Sequence, residues 1–292
     1  MKIAIATDTN SGITAMEGEK LGVYVLAMPV NLEETIHYEG IDITSEQPYD
    51  AMRQHRDVST SQPSPGQLME LWDGILAKGY DEIVYIPMSS GLSGSCQSAA
   101  LFAQDYDGRV QVVDNHRISI TQKESVISAL RLVEQGYDAG QIRDFLEKHA
   151  YDASIYITVD SMEYLKKGGR VTPAAATLAT VLNLKPVLTI QGDKLDAFAK
   201  VRGMKLAESK MIEAIHHDRE ARFKDIPESR LLIETAGTLE NGELAEHWRQ
   251  QVQAEFPFAK VSYANLPCSI ACHVGMNSVA TVIMTEEVQR AD

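Results

Sequence analysis

Residues 82–106 read EIVYIPMSSGLSGSCQSAALFAQDY. The opening run, Glu82–Pro87, is short, rich in Ile and Val and closed by a proline, which predicts a strand. Ser89-Ser90-Gly91-Leu92-Ser93-Gly94-Ser95 follows, and Cys96 to Tyr106 can then form a helix with small apolar residues on one face. A strand that enters a helix through a Gly/Ser turn is the repeating unit of a parallel sheet covered by helices. Free backbone N–H groups and hydroxyls at the positive end of a helix dipole favour a carboxylate or a phosphate. A tight turn with a serine N-cap uses the same residues and binds nothing.

The pattern continues on both sides. Lys2–Ala6, Val23–Val30 and Arg109–Asp114 are further Val/Ile-rich runs and read as strands. Leu68, Leu71, Trp72, Ile75 and Leu76 recur at helical spacing and stop at Gly79; Gln122–Gln135 and Ala139–Lys148 read as two more helices, with Gly136 and Gly140 as punctuation. In the second half, strands are expected at Ile155–Val159, Pro186–Ile190, Arg230–Ala236, Lys260–Ala264 and Val279–Met284, and helices at Met204–His217 and Asn241–Gln253. Gln191-Gly192-Asp193-Lys194, between Val187–Thr189 and Leu195–Ala199, suggests an antiparallel hairpin. The expected class is α/β, with an N-terminal domain over residues 1–155 built mainly on a parallel sheet and a C-terminal mixed α/β domain over residues 156–292.

Composition narrows the function. Lys and Arg number 27 against 41 Asp and Glu, a net charge of −14 over 292 residues. Phosphate backbones and anionic lipid reward clustered positive charge, so the acidic balance argues against nucleic-acid binding and disfavours docking on anionic lipid. Cys96, Cys268 and Cys272 are too few for a disulfide framework and suit a reducing compartment, so a cytoplasmic location is expected. The N-terminal MKIAIATDTN is too short for a signal-peptide core, and no apolar run approaches the ~18 residues that span a bilayer. Cys268, Cys272 and His273 lack a fourth ligand and a C-x-x-C pair, so buried thiols are the expected reading and no metal is implied.

A second hydroxyl-rich stretch, Ser59-Thr60-Ser61-Gln62-Pro63-Ser64-Pro65, leads into the Leu68 helix, with Ser64 placed to cap it. It matters for binding only where it meets the Ser93 turn in space. Basic residues cluster beside glycines at Leu165-Lys166-Lys167-Gly168-Gly169-Arg170 and at Lys200-Val201-Arg202-Gly203 followed by Lys205. Those glycines permit turns, and the cations are either solvated or a small positive spot on an acidic chain.

In these motifs, in this order, and in Asp8-Thr9 and His273, the whole chain resembles one unit of the DegV family, bacterial proteins that bind fatty acids. The resemblance implies two α/β domains with a long-chain fatty acid buried between them as the only ligand and no cofactor. It places the fatty acid carboxylate on Thr60 and Ser93, with Ser61 beside them and His273 nearby. It also implies a non-enzymatic role: presenting the carboxylate to the ATP-binding subunit of a fatty acid kinase, whose acyl phosphate feeds phospholipid synthesis. Arg170, Arg202 and Lys200 would then lie near the head group or the partner surface. Three departures are visible: Asp114-Asn115-His116-Arg117-Ile118-Ser119 replaces a serine- and glycine-bearing turn and His273-Val274-Gly275-Met276-Asn277 replaces G-P-G after the histidine, both of which bear on pocket shape and acyl preference, while Ser95 conservatively replaces a frequent threonine.

Two enzymatic rivals are weaker. A serine hydrolase or acyltransferase using Ser93 needs G-x-S-x-G, whereas Gly91-Leu92-Ser93-Gly94-Ser95 has its second glycine one place early. A phosphate-binding kinase needs G-x-x-x-x-G-K-[ST], which the chain lacks.

Overall fold

Ile3–Asp8 forms β1, and its side chains alternate between two apolar layers. The computed structural model describes residues 1–177 and 184–289. Their contacts divide the chain into two units: 1–44, 60–151 and 287–292 in the first, 45–59 and 152–286 in the second.

In the first unit, β1 is joined by β2 (Val23–Leu26), β6 (Glu82–Ile86) and β7 (Val110–Val112) in the order β2-β1-β6-β7, all parallel. Period-2 alternation sends Ile5, Val84 and Ile86 to one face, against Val126 and Leu132 of α5 (Ile120–Glu134) and Ile142 of α6 (Ala139–Lys148). Ala4, Ala6, Ile83 and Tyr85 point to the other face. They meet Trp72 of α3 (Pro65–Ala77) and Ala99 of α4 (Ser95–Phe102). Trp72 is fully buried and sits edge-on to Tyr85 and Tyr106, with centroids at 5.7 and 5.3 Å. Helices on both faces leave only the strand ends for chemistry. The strand order reverses between β1 and β6, which puts the crevice of such a sheet at the carboxyl ends of those two strands.

The predicted strand Val23–Val30 is two strands. β2 ends at Leu26, and β3 (Pro29–Leu32) pairs instead with β4 (Thr35–Tyr38) in an antiparallel hairpin. Pro29 has no N–H to continue the parallel ladder, and Met28 spends its own N–H on Thr9 Oγ1 at 3.1 Å. A short α1 (Ala15–Leu21) precedes β2, capped by Thr14. The sequence pattern offered no sign of α1 or β4.

The second unit holds a six-stranded sheet in the order β10-β9-β8-β13-β11-β12. Its strands are β8 (Ala153–Thr158), β9 (Leu184–Ile190), β10 (Asp196–Arg202), β11 (Leu231–Gly237), β12 (Tyr263–Asn265) and β13 (Val279–Thr285). All pairings are antiparallel except β11 with β12. The hairpin expected around Gly192 is β9–β10, while β12 begins three residues later than Lys260. The predicted helix from Met204 runs one turn further, as α9 (Met204–Ala221). It packs Ala207, Met211 and Ile215 into one core with Trp248 and Val252 of α10 (Gly242–Glu255). Trp248 Nε1 donates to the Ala280 carbonyl at 2.9 Å, so the buried indole has its partner.

The sequence sets one boundary, at 155/156, and the contacts place the corresponding crossing at 151/152. They also assign two further pieces away from their neighbours in sequence. Helix α2 (Glu46–Arg53) buries Pro48, Tyr49, Ala51 and Met52 within the second unit, packs on α11 (Cys268–Val274) and pairs Arg53 with Glu240. After β13 the chain returns to the first unit, where Glu287 pairs with Arg117 and Val288 enters the core.

Candidate functional site

The loop after β6 is built before any ligand is considered. Ser89 is fully buried; its N–H donates to the Arg117 carbonyl at 2.8 Å, and its own carbonyl accepts the N–H groups of Leu92 and Ser93 at 3.0 and 3.1 Å. Gly91 N–H donates to Ser89 Oγ at 3.1 Å, and Ser90 N–H to Asp114 Oδ1 at 3.2 Å. This folding turns the chain back so that Ser93 stands just ahead of α4. The expected serine N-cap is instead Gly94, which makes no side-chain capping bond. Ser93 Oγ takes the first-turn duty by accepting Ser95 N–H at 3.1 Å. A hydroxyl that accepts this bond keeps its proton for an acceptor elsewhere, the polarity that an anion requires.

The second hydroxyl loop leaves β5 (Val58–Thr60). Ser64 caps α3 in a capping box with Gln67, as its sequence predicts, and Pro65 opens the helix. Thr60 is partly buried and Ser61 exposed, and Ser61 N–H donates to the Pro29 carbonyl at 3.4 Å. The two loops touch. Gln62 Oε1 accepts from Ser98 Oγ at 3.3 Å and lies 3.5 Å from where a Cβ on Gly94 would stand. A cleft of about 40 Å³ opens beside them, lined among others by Gln62, Pro63, Leu68, Tyr85, Ser95 and Phe102. Ser95 is buried, and its Oγ has no hydrogen-bond partner among the described residues. The structure thus brings Thr60 and Ser61 to the same edge of the first unit as Ser93.

A feature that the motifs did not reveal underlies this edge. Asp8, at the carboxyl end of β1, is fully buried. Its Oδ1 accepts from Asn10 N–H and Nδ2 at 3.1 Å and from Gln122 Nε2 at 3.0 Å, and its Oδ2 accepts from Met88 N–H at 3.0 Å. Burial outweighs these bonds and pushes the carboxyl up to about 6. The available signal was Gln122, a polar residue one turn before Val126 on the apolar face of the predicted α5. Nearby, burial pushes the Cys96 thiol up to about 12, with Asp114 adding to it, which makes the thiol inert at neutral pH.

Among the described residues of the first unit no histidine hydrogen-bonds Ser93. Among the described residues no group of three or more His, Cys, Asp or Glu side chains could hold a metal ion. Cys268 and Cys272 are both buried in α11. Among the described residues, too, no helix is long and apolar enough to cross a membrane.

The remaining predicted residues lie in the second unit. Gly168 ends α7 (Glu163–Gly168), and Gly169 follows in the left-handed region at φ 69°. Gly168 faces the His273 ring so closely that a Cβ there would overlap Nδ1. Arg170 Nη1 donates to the Gly168 carbonyl, so Arg170, Gly168 and His273 form one cluster where α7 packs on α11. Burial, reinforced by the Arg170 charge, holds the imidazole down at about 4, so His273 is neutral at physiological pH. The Arg170 carbonyl also accepts Leu195 N–H at 2.9 Å, next to the start of β10. Lys200 and Arg202 lie near the other end of that edge strand, both exposed on one face and separated by inward Val201. At ~3.3 Å per residue, Arg202 is roughly 20 Å along the strand from Asp196, so the two basic motifs form separate spots.

The family model described as "Uncharacterised protein, DegV family" matches residues 2–286. The chain is 35% identical over 216 residues to a DegV domain-containing protein of Deinococcus radiodurans, covering 74% of this chain and 76% of that one. It is 30% identical over 283 residues to a DegV domain-containing protein of Streptococcus pneumoniae, covering 96% and 98%. Its structure is similar to that described as "Fatty Acid Binding of a DegV family Protein from Thermus thermophilus", with a TM-score of 0.86, 30% identity, and 98% and 100% of the two chains covered.

Proposed function

Because the chain belongs to the DegV family, we propose that it binds a long-chain fatty acid and holds the carboxylate on the hydroxyls of Thr60 and Ser93. The observation that carries this reading is the meeting of the Thr60 and Ser93 loops through Gln62 and Gly94 at the carboxyl edge of the parallel sheet. The similar Thermus thermophilus protein is described as binding fatty acid. Each methylene taken out of water contributes ~0.8 kcal/mol, so the tail supplies most of the affinity. The hydroxyls fix where the charged end sits. Ser61 and neutral His273 are assigned to the carboxylate by family resemblance. The protein acts by presentation: a cytoplasmic fatty acid kinase subunit that carries ATP phosphorylates the exposed carboxylate for phospholipid synthesis, and Arg170, Lys200 and Arg202 are the cations it reads. Among the described residues of the first unit, Ser93 lacks the base that a nucleophile needs.

The test compares oleate with methyl oleate, which keeps the tail and removes the anion. A hydrogen bond to a charged group contributes ~1.5–3 kcal/mol, so Thr60→Ala or Ser93→Ala should each weaken oleate binding roughly 10- to 150-fold and leave methyl oleate nearly untouched. An unchanged acid-to-ester ratio in both variants would reduce the two residues to turn formers.

A further inference from the structure

Asp8 and Thr9 stand between the two hydroxyl loops and hold both. On one side Asp8 Oδ2 accepts Met88 N–H at 3.0 Å, one residue before the Ser89–Ser95 turn. On the other side Thr9 Oγ1 accepts Met28 N–H at 3.1 Å while donating to Glu39 Oε2 at 2.6 Å. Met28 precedes Pro29, whose carbonyl receives Ser61 N–H. Gln122 braces the joint from α5, its Nε2 shared among Asp8 Oδ1, Thr7 Oγ1 and the Ile86 carbonyl at 3.0 to 3.1 Å.

We propose that Asp8 is a positioning residue for the acyl head group: its carboxylate, held by neutral donors alone, sets the Ser93 loop in the geometry that receives the ligand. The proposal rests on the reading that Thr60 and Ser93 hold the carboxylate of a fatty acid. Among the described residues no Lys, Arg or His pairs with Asp8. The titratable groups that face it are Tyr85 on β6 and Cys96 on α4, both pushed up by burial and both neutral near pH 7. A buried charge without a counter-charge is unfavourable for the fold, and buried carboxylates of this kind cluster at functional sites. Capping of the turn at Thr9–Ser11 does not require it, since Asn caps as well as Asp. The charge is needed because both oxygens must accept at once. A proton on Asp8, or an amide in its place, leaves one of the converging N–H donors without an acceptor.

The experiment measures oleate affinity for wild type and Asp8→Asn from pH 5 to pH 8, with oleate's own titration cancelling in the ratio. Asp8→Asn should bind about fivefold or more weakly at pH 8 and converge with wild type at pH 5, where the wild-type carboxyl is protonated and, like the amide, offers only one bare acceptor oxygen. A ratio that stays flat with pH, or equals one at pH 8, overturns the proposal. Hydrogen exchange of ligand-free wild type supplies a measurement independent of the variant's folding. Protection of residues 88–95, corrected for intrinsic rates, should fall between pH 8 and pH 5 while α6 stays constant; unchanged protection also overturns it. Oleate that fails to bind wild type at any pH, with the exchange shift still present, would support the positioning role and reject the fatty acid reading.

Discussion

The glycine at 168 exists to clear the ring of His273: a β-carbon there would overlap Nδ1 of the imidazole. Gly168 is the last residue of α7 and has no positive φ, so the backbone itself would accept alanine. Alanine in a helix is favoured over glycine by ~0.8–1 kcal/mol, whereas overpacking costs about 1–3 kcal/mol. The overlap should win.

Gly168→Ala is therefore expected to lower stability by up to about 2 kcal/mol, the overpacking cost less the propensity gain, and His273→Ala in that background should recover part of the loss. Denaturant unfolding of the two single variants and the double variant checks this, with the coupling read from the cycle. Additive effects would mean that the ring moves aside freely.

Arg117 and Glu287 form a buried pair, each side chain 2% exposed. Arg117 also donates to the carbonyls of His149 and Ala150 and to Ser125 Oγ, at 2.7 to 3.3 Å, while its own carbonyl holds Ser89 N–H. Removing one charge leaves the other buried without a counter-charge. Glu287→Ala should thus lose about 3–5 kcal/mol of unfolding free energy, measured in urea, and Arg117→Met/Glu287→Met should lose less than Glu287→Ala.

For Asp8 the folded carboxyl titrates at about 6, against 3.8 in the unfolded chain. Between those values the folded protein holds a proton that the unfolded chain has released. The contribution to stability is fully present below about 3.8 and is lost as pH rises through about 6, roughly 3 kcal/mol in all. Asp8→Asn removes that slope. The difference in unfolding free energy, variant minus wild type, should rise by roughly 2–3 kcal/mol between pH 4 and pH 7. A difference that does not change with pH would mean that the carboxyl is not perturbed.

On the proposed kinase presentation, Arg170→Ala and Arg202→Ala should lower acyl-phosphate formation with an ATP-binding fatty acid kinase subunit more than they lower oleate occupancy. Both residues stand in glycine-adjacent basic motifs on a chain that carries 27 basic against 41 acidic side chains. Turnover in both variants equal to wild type at full occupancy would count against a cationic partner surface.

The sequence carried the elements whose pattern is local. Ala139–Lys148 and the cap at Ser64 appear where periodicity and capping chemistry put them. The split of Val23–Val30 was written in Pro29, but an unbroken apolar run masked it. What could not be read is long-range: α2 counted with residues 152–286, Glu287 returning to Arg117, and Met88 reaching Asp8 across 80 positions. The Thr60 and Ser93 loops were legible as hydroxyl-rich turns ahead of two helices, but their meeting through Gln62 and Gly94 was not, because it joins loops that leave two different sheets. The clearance at Gly168 was not, because a glycine followed by Gly169 at φ 69° reads as part of one turn.

The most direct measurement is native mass spectrometry of protein purified from a bacterial host, followed by solvent extraction and identification of the released lipid. One fatty acid per chain is the expected result, retained in the native ion and lost on denaturation. A protein that emerges empty, and takes up neither added palmitate nor added oleate, would contradict the account.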